Sequence, residues 1–312
     1  MTVVTETGEG ATGGRRPGTR FGRSPLGRVP WAWILPAALL AGLFHYLSVA
    51  FGAWYAFTNW NGFGLNPKFI GFENFRTIFS DHLARGALFH TLELGVAFVV
   101  VANGLGLLFA LGLNRSLKTR HILRALLFAP VVMSPIAVSY VWQYIFQYNG
   151  PLNEVLGWLG LDSWKRAWIG DARWALWAIF VVLVWQFAGL TMVMYLAGLQ
   201  SIPEELDEAA LVDGASAWFR FRRVTLPLLA PAFTIALTYT LTLGLRIFAQ
   251  VIAITDGGPY YASETLATQV YKQAFAFGRF GYGSAFALVL MLLVSVVAIS
   301  QLVVLRAREN RI

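Results

Sequence analysis

Six long apolar segments constrain the fold of this chain more than any other feature of its sequence. Each reaches the roughly 20 helical residues that cross the hydrocarbon core of a bilayer. Hydrophobic residues make up 57% of the chain and charged residues 13%, a composition typical of membrane proteins. The sequence therefore predicts an all-α integral membrane protein of six transmembrane helices, at residues 31–51, 88–111, 122–146, 174–199, 228–254 and 285–305.

The residues before the first apolar segment are rich in Gly, Thr and Arg and lack apolar periodicity. They predict a disordered, basic cytoplasmic tail over residues 1–29. The first apolar segment is longer than the apolar region of a signal peptide, about 7 to 15 residues, and no A-x-A cleavage pattern fits it well. We therefore expect a retained anchor, a six-helix transmembrane domain over residues 30–308, and a short cytoplasmic C-terminus over residues 309–312.

The placement of basic residues orients the predicted helices. With a cytoplasmic N-terminus, the inner segments hold 15 Lys and Arg residues and the outer segments hold 8, while Arg246 lies within the fifth span. This excess follows the positive-inside rule, so we expect both termini in the cytoplasm. The net charge of +8 is then explained by topology, and no nucleic-acid partner is expected. The absence of cysteine excludes disulfides and thiolate metal ligands.

A polar segment between the fourth and fifth apolar segments, residues 201–227, is expected on the cytoplasmic side. Ser201 and Glu204 have the spacing of a capping box. Gly214 is placed to end that helix in the left-handed conformation, and a second short helix with aromatic and basic residues is expected over residues 215–223. These features alone fit two roles: an amphipathic loop on anionic headgroups, or a docking element for a cytoplasmic protein.

The same segment carries a motif of fixed spacing: Glu208-Ala209-Ala210, three residues, Gly214, nine residues, Val224, one residue, and Leu226-Pro227. This motif resembles the EAA motif of the membrane subunits of ATP-binding-cassette importers, with Val224 where isoleucine is commoner. In that family the segment forms a coupling helix in a cleft of the ATPase subunit. The resemblance implies that Glu208 makes polar contact with the ATPase and that the small residues allow a close fit. The residues implied in ATPase coupling are Glu208, Ala209, Ala210, Asp213, Gly214, Leu226 and Pro227.

Further stretches resemble the sugar permeases of the maltose and glycerol-phosphate uptake type. They are "GFENF" after the first span, "TDGGP" after the fifth, and the later "ETLATQVYKQAF" and "GYGSAFALVL". The likeness covers most of residues 30–308. The chain departs from the commoner pattern at Ala249, where an aspartate often stands, so no role is transferred to that position.

This resemblance implies a set of partners in the cytoplasmic membrane. They are a second homologous permease, two ATPase subunits, and an extracytoplasmic sugar-binding protein that docks on the loops around residues 71–75 and 257–261. The chain has no G-x-x-x-x-G-K-[ST] sequence to cradle phosphates, so we expect a separate ATPase to use ATP and Mg. We expect this chain itself to bind no cofactor.

Several polar and aromatic residues within the apolar segments are candidates for the substrate pathway. Arg246 is expected toward the outer half of the fifth span, where it has three possible roles: binding sugar hydroxyls, reaching the outer headgroups, or pairing with Glu93. Aromatic faces and amides suit a sugar site, but each such residue also suits helix packing. These further candidates are Trp185, Gln186, Tyr239 and Gln250. His45 and His90 lack a metal-ligand spacing, so no metal site is predicted.

The sequence predicts a multi-pass permease subunit that moves a mono- or oligosaccharide by alternating access, driven by separate ATPase subunits. A polyol or glycerol phosphate is the first alternative solute. An ion-coupled secondary transporter is the alternative from another class. An enzyme is not expected, because the chain shows no nucleophile elbow and no catalytic carboxylate pair of fixed spacing.

Overall fold

The computed structural model describes residues 31–64, 66–115 and 117–309. Within these ranges the fold is helical, and the only β-pairing is an isolated bridge between Thr58 and Phe69. The predicted tail over residues 1–29 and residues 310–312 lie outside the described residues. The α-helices are α1 Trp31–Tyr55, α2 Glu73–Ser80, α3 His82–Leu113, α4 Arg120–Val132, α5 Pro135–Ile145, α6 Pro151–Trp158, α7 Ala175–Gln200, α8 Glu204–Val212, α9 Ala217–Arg220, α10 Leu226–Leu228, α11 Ala230–Leu245, α12 Ala249–Ile254, α13 Leu266–Tyr271 and α14 Phe280–Glu309.

The chain forms two compact units, divided between Val49 and Ala50. The described part of the first unit is most of α1, a continuous helix that contains Pro36. The second unit begins with the last turns of α1 and holds the other helices. This unit also contains a single 3₁₀ turn at Asp162–Trp164 and single π-helical turns at Phe221–Thr225 and Lys272–Ala276.

Four helices are long and apolar enough to cross a membrane by themselves: α1, α3, α7 and α14. They match the first, second, fourth and sixth apolar segments. Two further candidates are bent pairs of helices, so the described chain has between four and six possible spans.

The third apolar segment was predicted as one span, and the structure divides it into two helices. Its two halves, α4 and α5, meet at 98°. Pro135 begins α5, and a proline has no N–H to continue the hydrogen bonds of the preceding helix. Met133 and Ser134 at the junction have extended ψ angles of 144° and 129°.

The fifth apolar segment was also predicted as one span, over residues 228–254. The structure instead bends the chain by 66° before α11 and ends that helix at Leu245. The short helix α12 follows after Arg246–Phe248. The break frees backbone carbonyl groups, and the Thr265 hydroxyl donates a hydrogen bond of 3.2 Å to the carbonyl of Ile247. This bond lowers the cost of interrupting a buried helix.

The centre of the second unit is the seam between α3 and α7. A side chain at Gly106 would overlap the Thr191 side chain and the backbone of Met192, so the two helices meet there at backbone distance. The Thr191 hydroxyl donates across the seam to the carbonyl of Ala102 at 2.8 Å. Ala110, one turn beyond Gly106, is fully buried. The small-residue surface of Gly106 and Ala110 therefore permits close helix packing.

Candidate functional site

The helix that carries the Glu208 motif starts differently from the prediction. The Ser201 hydroxyl donates to the Gly198 carbonyl at 2.7 Å and does not cap α8. Pro203 occupies the N-cap position, without a side-chain cap bond. The capping-box prediction is therefore wrong, because Ser201 is the C-cap residue of α7 instead. Acidic residues in the first turn of α8, such as Glu204, still face the positive end of the helix dipole.

The other end of α8 agrees with the sequence. Gly214 has a φ of 75°, a left-handed conformation that costs glycine little. The Gly214 N–H donates to the Leu211 carbonyl and the Ala215 N–H donates to the Ala210 carbonyl, each at 3.0 Å. Together these bonds form a Schellman motif, so α8 has a defined end rather than a frayed one.

The surface of α8 is open, and no residue of the helix is buried within the chain. Glu208 and Ala209 are exposed, and Ala210 is half-buried. Exposed apolar side chains accompany them, including Val212 at 87% of its full exposure. An exposed patch of apolar and small residues beside a carboxylate is typical of a contact surface for another macromolecule.

The chain after Gly214 forms the predicted second short helix. The Ser216 hydroxyl caps α9 by accepting from the Phe219 N–H at 3.3 Å. Arg220 at the end of α9 donates to the Asp207 carboxylate of α8 at 2.7 Å. This ion pair links the two short helices. The chain then continues through the Phe221–Thr225 turn into Leu226-Pro227.

Two predicted pathway residues, Gln186 and Gln250, are buried against each other. The Gln250 amide donates to the Gln186 side-chain oxygen at 3.1 Å. The Gln186 amide donates to the carbonyl of Met133 at 3.3 Å, at the break between α4 and α5. In this conformation the pair connects α7 and α12 to the break between α4 and α5. Both of these hydrogen bonds are made to groups of the protein itself.

The remaining pathway candidates lie elsewhere. Trp185 borders an apolar cavity of about 450 Å³ between α3, α4 and α7, and its ring meets Trp142 edge-on with centroids 5.4 Å apart. Tyr239 lies in the second half of α11, and Arg246, seven residues later, is its C-cap, so the two lie close to one face of the helix. Both side chains are exposed. The five candidates therefore occupy three separate environments.

The structure does not show the pairing of Arg246 with Glu93. Neither residue has an ion-pair partner within the described part of the chain. Gly95 packs against Gly244 and Leu245 at the end of α11. Glu93 precedes Gly95 by two residues, about 200° around α3, so its side chain points away from α11.

A buried hydrogen-bond network, which was not predicted from the sequence, joins α3, α7 and α11. The Tyr195 hydroxyl of α7 donates to the Asn103 side-chain oxygen of α3 at 2.8 Å. The Asn103 amide donates to the Thr240 hydroxyl of α11 at 2.8 Å. An asparagine in an apolar span is itself a signal, since polar groups in a membrane need partners. Its partners are distant in sequence, so spacing alone could not reveal them.

A second missed feature is a buried acid, Glu264, in the segment between α12 and α13. Its side chain is 0% exposed and lies 2.5 Å from the Lys272 ammonium. The Thr268 hydroxyl donates to the other carboxylate oxygen at 2.5 Å. The Lys272 ammonium also donates to the backbone carbonyl of Asp256 at 2.6 Å. We call these four residues the Glu264 cluster.

The Glu264 cluster supports a loop with unusual backbone geometry. Asp256, Tyr260 and Tyr261 all have positive φ angles, of 48°, 50° and 63°. Such angles persist in bulky residues only where the surroundings enforce them. Tyr260 is 93% exposed. The loop thus presents an aromatic side chain outward from a fixed base.

Charges in the cluster shift the pKa of Lys272. Burial opposes the charged ammonium, but the hydrogen bond and charge of Glu264, with a smaller effect of Asp256, outweigh burial. The pKa of Lys272 therefore lies above its ordinary value of 10.5. The ammonium stays charged at neutral pH.

Comparison with known proteins identifies a family. Residues 102–310 match the family described as "Binding-protein-dependent transport system inner membrane component". The multiple sugar-binding transport system permease protein MsmF of Streptococcus mutans is 35% identical over 272 residues, which are 87% of this chain and 93% of that protein. The trehalose/maltose transport system permease protein MalF of Thermococcus litoralis is 32% identical over 284 residues, covering 91% and 95% of the two chains.

A solved structure has the same fold. A chain of a bacterial ABC transporter involved in the import of the acidic polysaccharide alginate superposes with a TM-score of 0.76 at 25% identity. The match covers 90% of this chain and 95% of that chain. These relatives are transport subunits, so the expectation that this chain is not an enzyme is confirmed. The chain belongs to the family of binding-protein-dependent transport system inner membrane components.

Proposed function

We propose that this chain is a permease subunit of an ATP-binding-cassette importer for a sugar. Curated relatives named for sugar transport support this, since they match the chain over nearly their whole lengths. The observation that most directly supports this proposal is the structure of α8. This helix has a defined C-terminus and an exposed Glu208–Ala209 surface within the EAA-like spacing. A short rigid element can transmit a rigid-body movement, whereas a frayed loop would absorb it.

In this proposal the chain has six spans, with each bent pair counted as one, and both termini lie in the cytoplasm. A second homologous permease completes the pathway. Two ATPase subunits use ATP and Mg, and one of them docks on α8, while this chain binds no cofactor. An extracytoplasmic sugar-binding protein docks on the loops at residues 71–75 and 257–261, where the Glu264 cluster holds Tyr260 outward.

The substrate pathway is proposed along the open face of α11. Tyr239 offers an aromatic face for a sugar ring, and Arg246 offers paired donors for hydroxyl groups. The Gln186–Gln250 pair bridges the break between α4 and α5 in this conformation. Its side chains are available to a solute only after the bridge opens, as alternating access at a midplane site would require.

Charge reversal at Glu208 tests the proposal. In Glu208→Lys, we expect loss of transport and weaker ATPase association, because the carboxylate is replaced by a cation at the contact surface. Glu154→Lys is the matched control, because it makes the same charge change on an exposed residue of α6. The helix α7, about 39 Å long, lies between α6 and α8 in the chain. Normal uptake and assembly in Glu208→Lys would reject the coupling role.

Two measurements separate this function from its alternatives. Binding of a sugar, a polyol and glycerol phosphate to the external binding protein tests the solute class. Uptake in vesicles with a proton gradient but without ATPase subunits tests ion coupling. We expect sugar binding by the external protein and no uptake without the ATPase.

A further inference from the structure

The end of α3 and the α9 segment line an open cavity of about 530 Å³, and none of the coupling residues assigned above lines it. Glu208 borders an adjoining cavity, which shares Leu111 and Asp207 with the first. One wall of the first cavity consists of leucines from the last two turns of α3: Leu107, Leu108 and Leu111. Trp218 adds an aromatic wall, and its ring lies 5.7 Å from that of Phe221 between centroids. Most of the wall is therefore apolar.

Charged groups border the same cavity. Arg115, just after α3, and Arg220 line it together with Asp207. Arg220 donates to Asp207 through one terminal nitrogen at 2.7 Å, while its Nε atom is buried without a hydrogen-bond partner among the described residues. Two arginines and one aspartate line the cavity, so its lining carries a net positive charge.

We propose that this cavity binds an anionic glycerophospholipid of the cytoplasmic leaflet. The phosphate would lie between Arg115 and Arg220, and an acyl chain would lie along the leucines of α3. A free phosphate would leave that apolar wall in water, whereas a lipid covers it. Basic pockets beside transmembrane helices on the cytoplasmic side suit anionic headgroups.

The site gives the 201–227 loop two partners. The open surface of α8 is left for the ATPase, while the bound lipid holds α9 against the end of α3. The sequence allowed two roles for this loop, contact with anionic headgroups and docking of a cytoplasmic protein. In this proposal α9 has the first role and α8 has the second. The lipid site depends on the proposed orientation of the chain, but it does not depend on the identity of the transported solute.

Native mass spectrometry of the purified full complex tests the site, with phosphatidylglycerol and phosphatidylcholine supplied in equal amounts. Wild type should retain phosphatidylglycerol in preference. Arg115→Gln and Arg220→Gln should each lower that retention about fivefold, as expected for one basic residue near a headgroup. Arg306→Gln removes an exposed arginine of α14 outside the cavity and should leave retention unchanged.

Ala217→Trp tests the cavity without a charge change, because Ala217 lines it and a bulky ring would fill it. Loss of phosphatidylglycerol from an assembled Ala217→Trp complex supports the site even where an arginine variant does not assemble. Unchanged retention in that variant would overturn the proposal. Equal losses in Arg306→Gln, or parallel loss of phosphatidylcholine, would overturn it as well. Retention does not require transport, so this result is independent of the Glu208→Lys test.

Discussion

Two ion pairs of this chain have similar geometry and very different surroundings. Asp207 and Arg220 meet at 2.7 Å with side chains 55% and 22% exposed. Glu264 and Lys272 meet at 2.5 Å with side chains 0% and 15% exposed. The exposed pair contributes little to stability because water screens it, whereas removing one partner of the buried pair leaves a charge without compensation. The first therefore links two short helices at the surface, and the second fixes a loop in place.

The largest expected effect comes from breaking the buried pair. Glu264→Ala leaves the Lys272 ammonium without its main partner and should destabilise the protein by about 3–5 kcal/mol. Chemical unfolding of the purified chain in detergent measures this loss. Asp162→Ala is the matched control, because Asp162 also lies 2.5 Å from a lysine, Lys165, but is 71% exposed. A loss in the control equal to that in Glu264→Ala would show that burial does not distinguish the pairs.

The α3–α7 seam should be the next most sensitive region. Gly106→Ala places a methyl group against Thr191 and the α7 backbone, and overpacking of this kind costs about 1–3 kcal/mol. Gly104→Ala changes the same helix two residues away, where a side chain would meet no atom within 4 Å. That variant should be neutral or gain up to about 1 kcal/mol. Equal thermal midpoints for the two variants would contradict the close packing.

Apolar periodicity and length were sufficient to predict the long helices of this fold. They could not locate the breaks. Pro135 marks the first break in the sequence, but its 98° angle depends on packing around α4 and α5. The second break, after Leu245, has no proline, and its freed carbonyl is bound by Thr265 from 18 residues further along the chain. No local sequence pattern predicts a hydrogen bond between residues so far apart in the chain.

The candidate site likewise has some features that the local sequence predicts and others that depend on distant residues. The left-handed Gly214 could be predicted because its conformation is local. Ser201 was assigned the wrong role, since it serves either as a cap or as part of the preceding helix, and tertiary context decides. The Glu264 cluster was missed because a carboxylate beside apolar residues gives no sign of burial until its partner is known. Long-range polar contacts were therefore the part that the sequence could not supply.

The exposed pair should have a smaller effect on stability than on mechanism. Asp207→Asn should cost no more than about 1 kcal/mol in unfolding. On the proposed coupling role of α8, it should raise the ATP hydrolysed per solute transported about twofold to fivefold, because the ion pair would no longer hold α8 and α9 together. Proteoliposomes that hold the full complex measure both quantities. The exchanged pair Asp207→Arg with Arg220→Asp should restore the ratio, and failure to do so would argue against the ion pair as the link.

The smallest effect is expected from pH, and it would sharpen the contrast between the two pairs. The pKa of Lys272 is raised on folding, so its contribution to stability is fully present below the unfolded value of about 10.5 and is lost as pH rises through the folded pKa. The unfolding midpoint should therefore show no change with pH from this residue between pH 7 and about 10, and a loss above that range. Lys272→Arg keeps a positive charge throughout and should remove this part of the alkaline loss. An unchanged alkaline slope in Lys272→Arg would show that the ammonium of Lys272 does not control it.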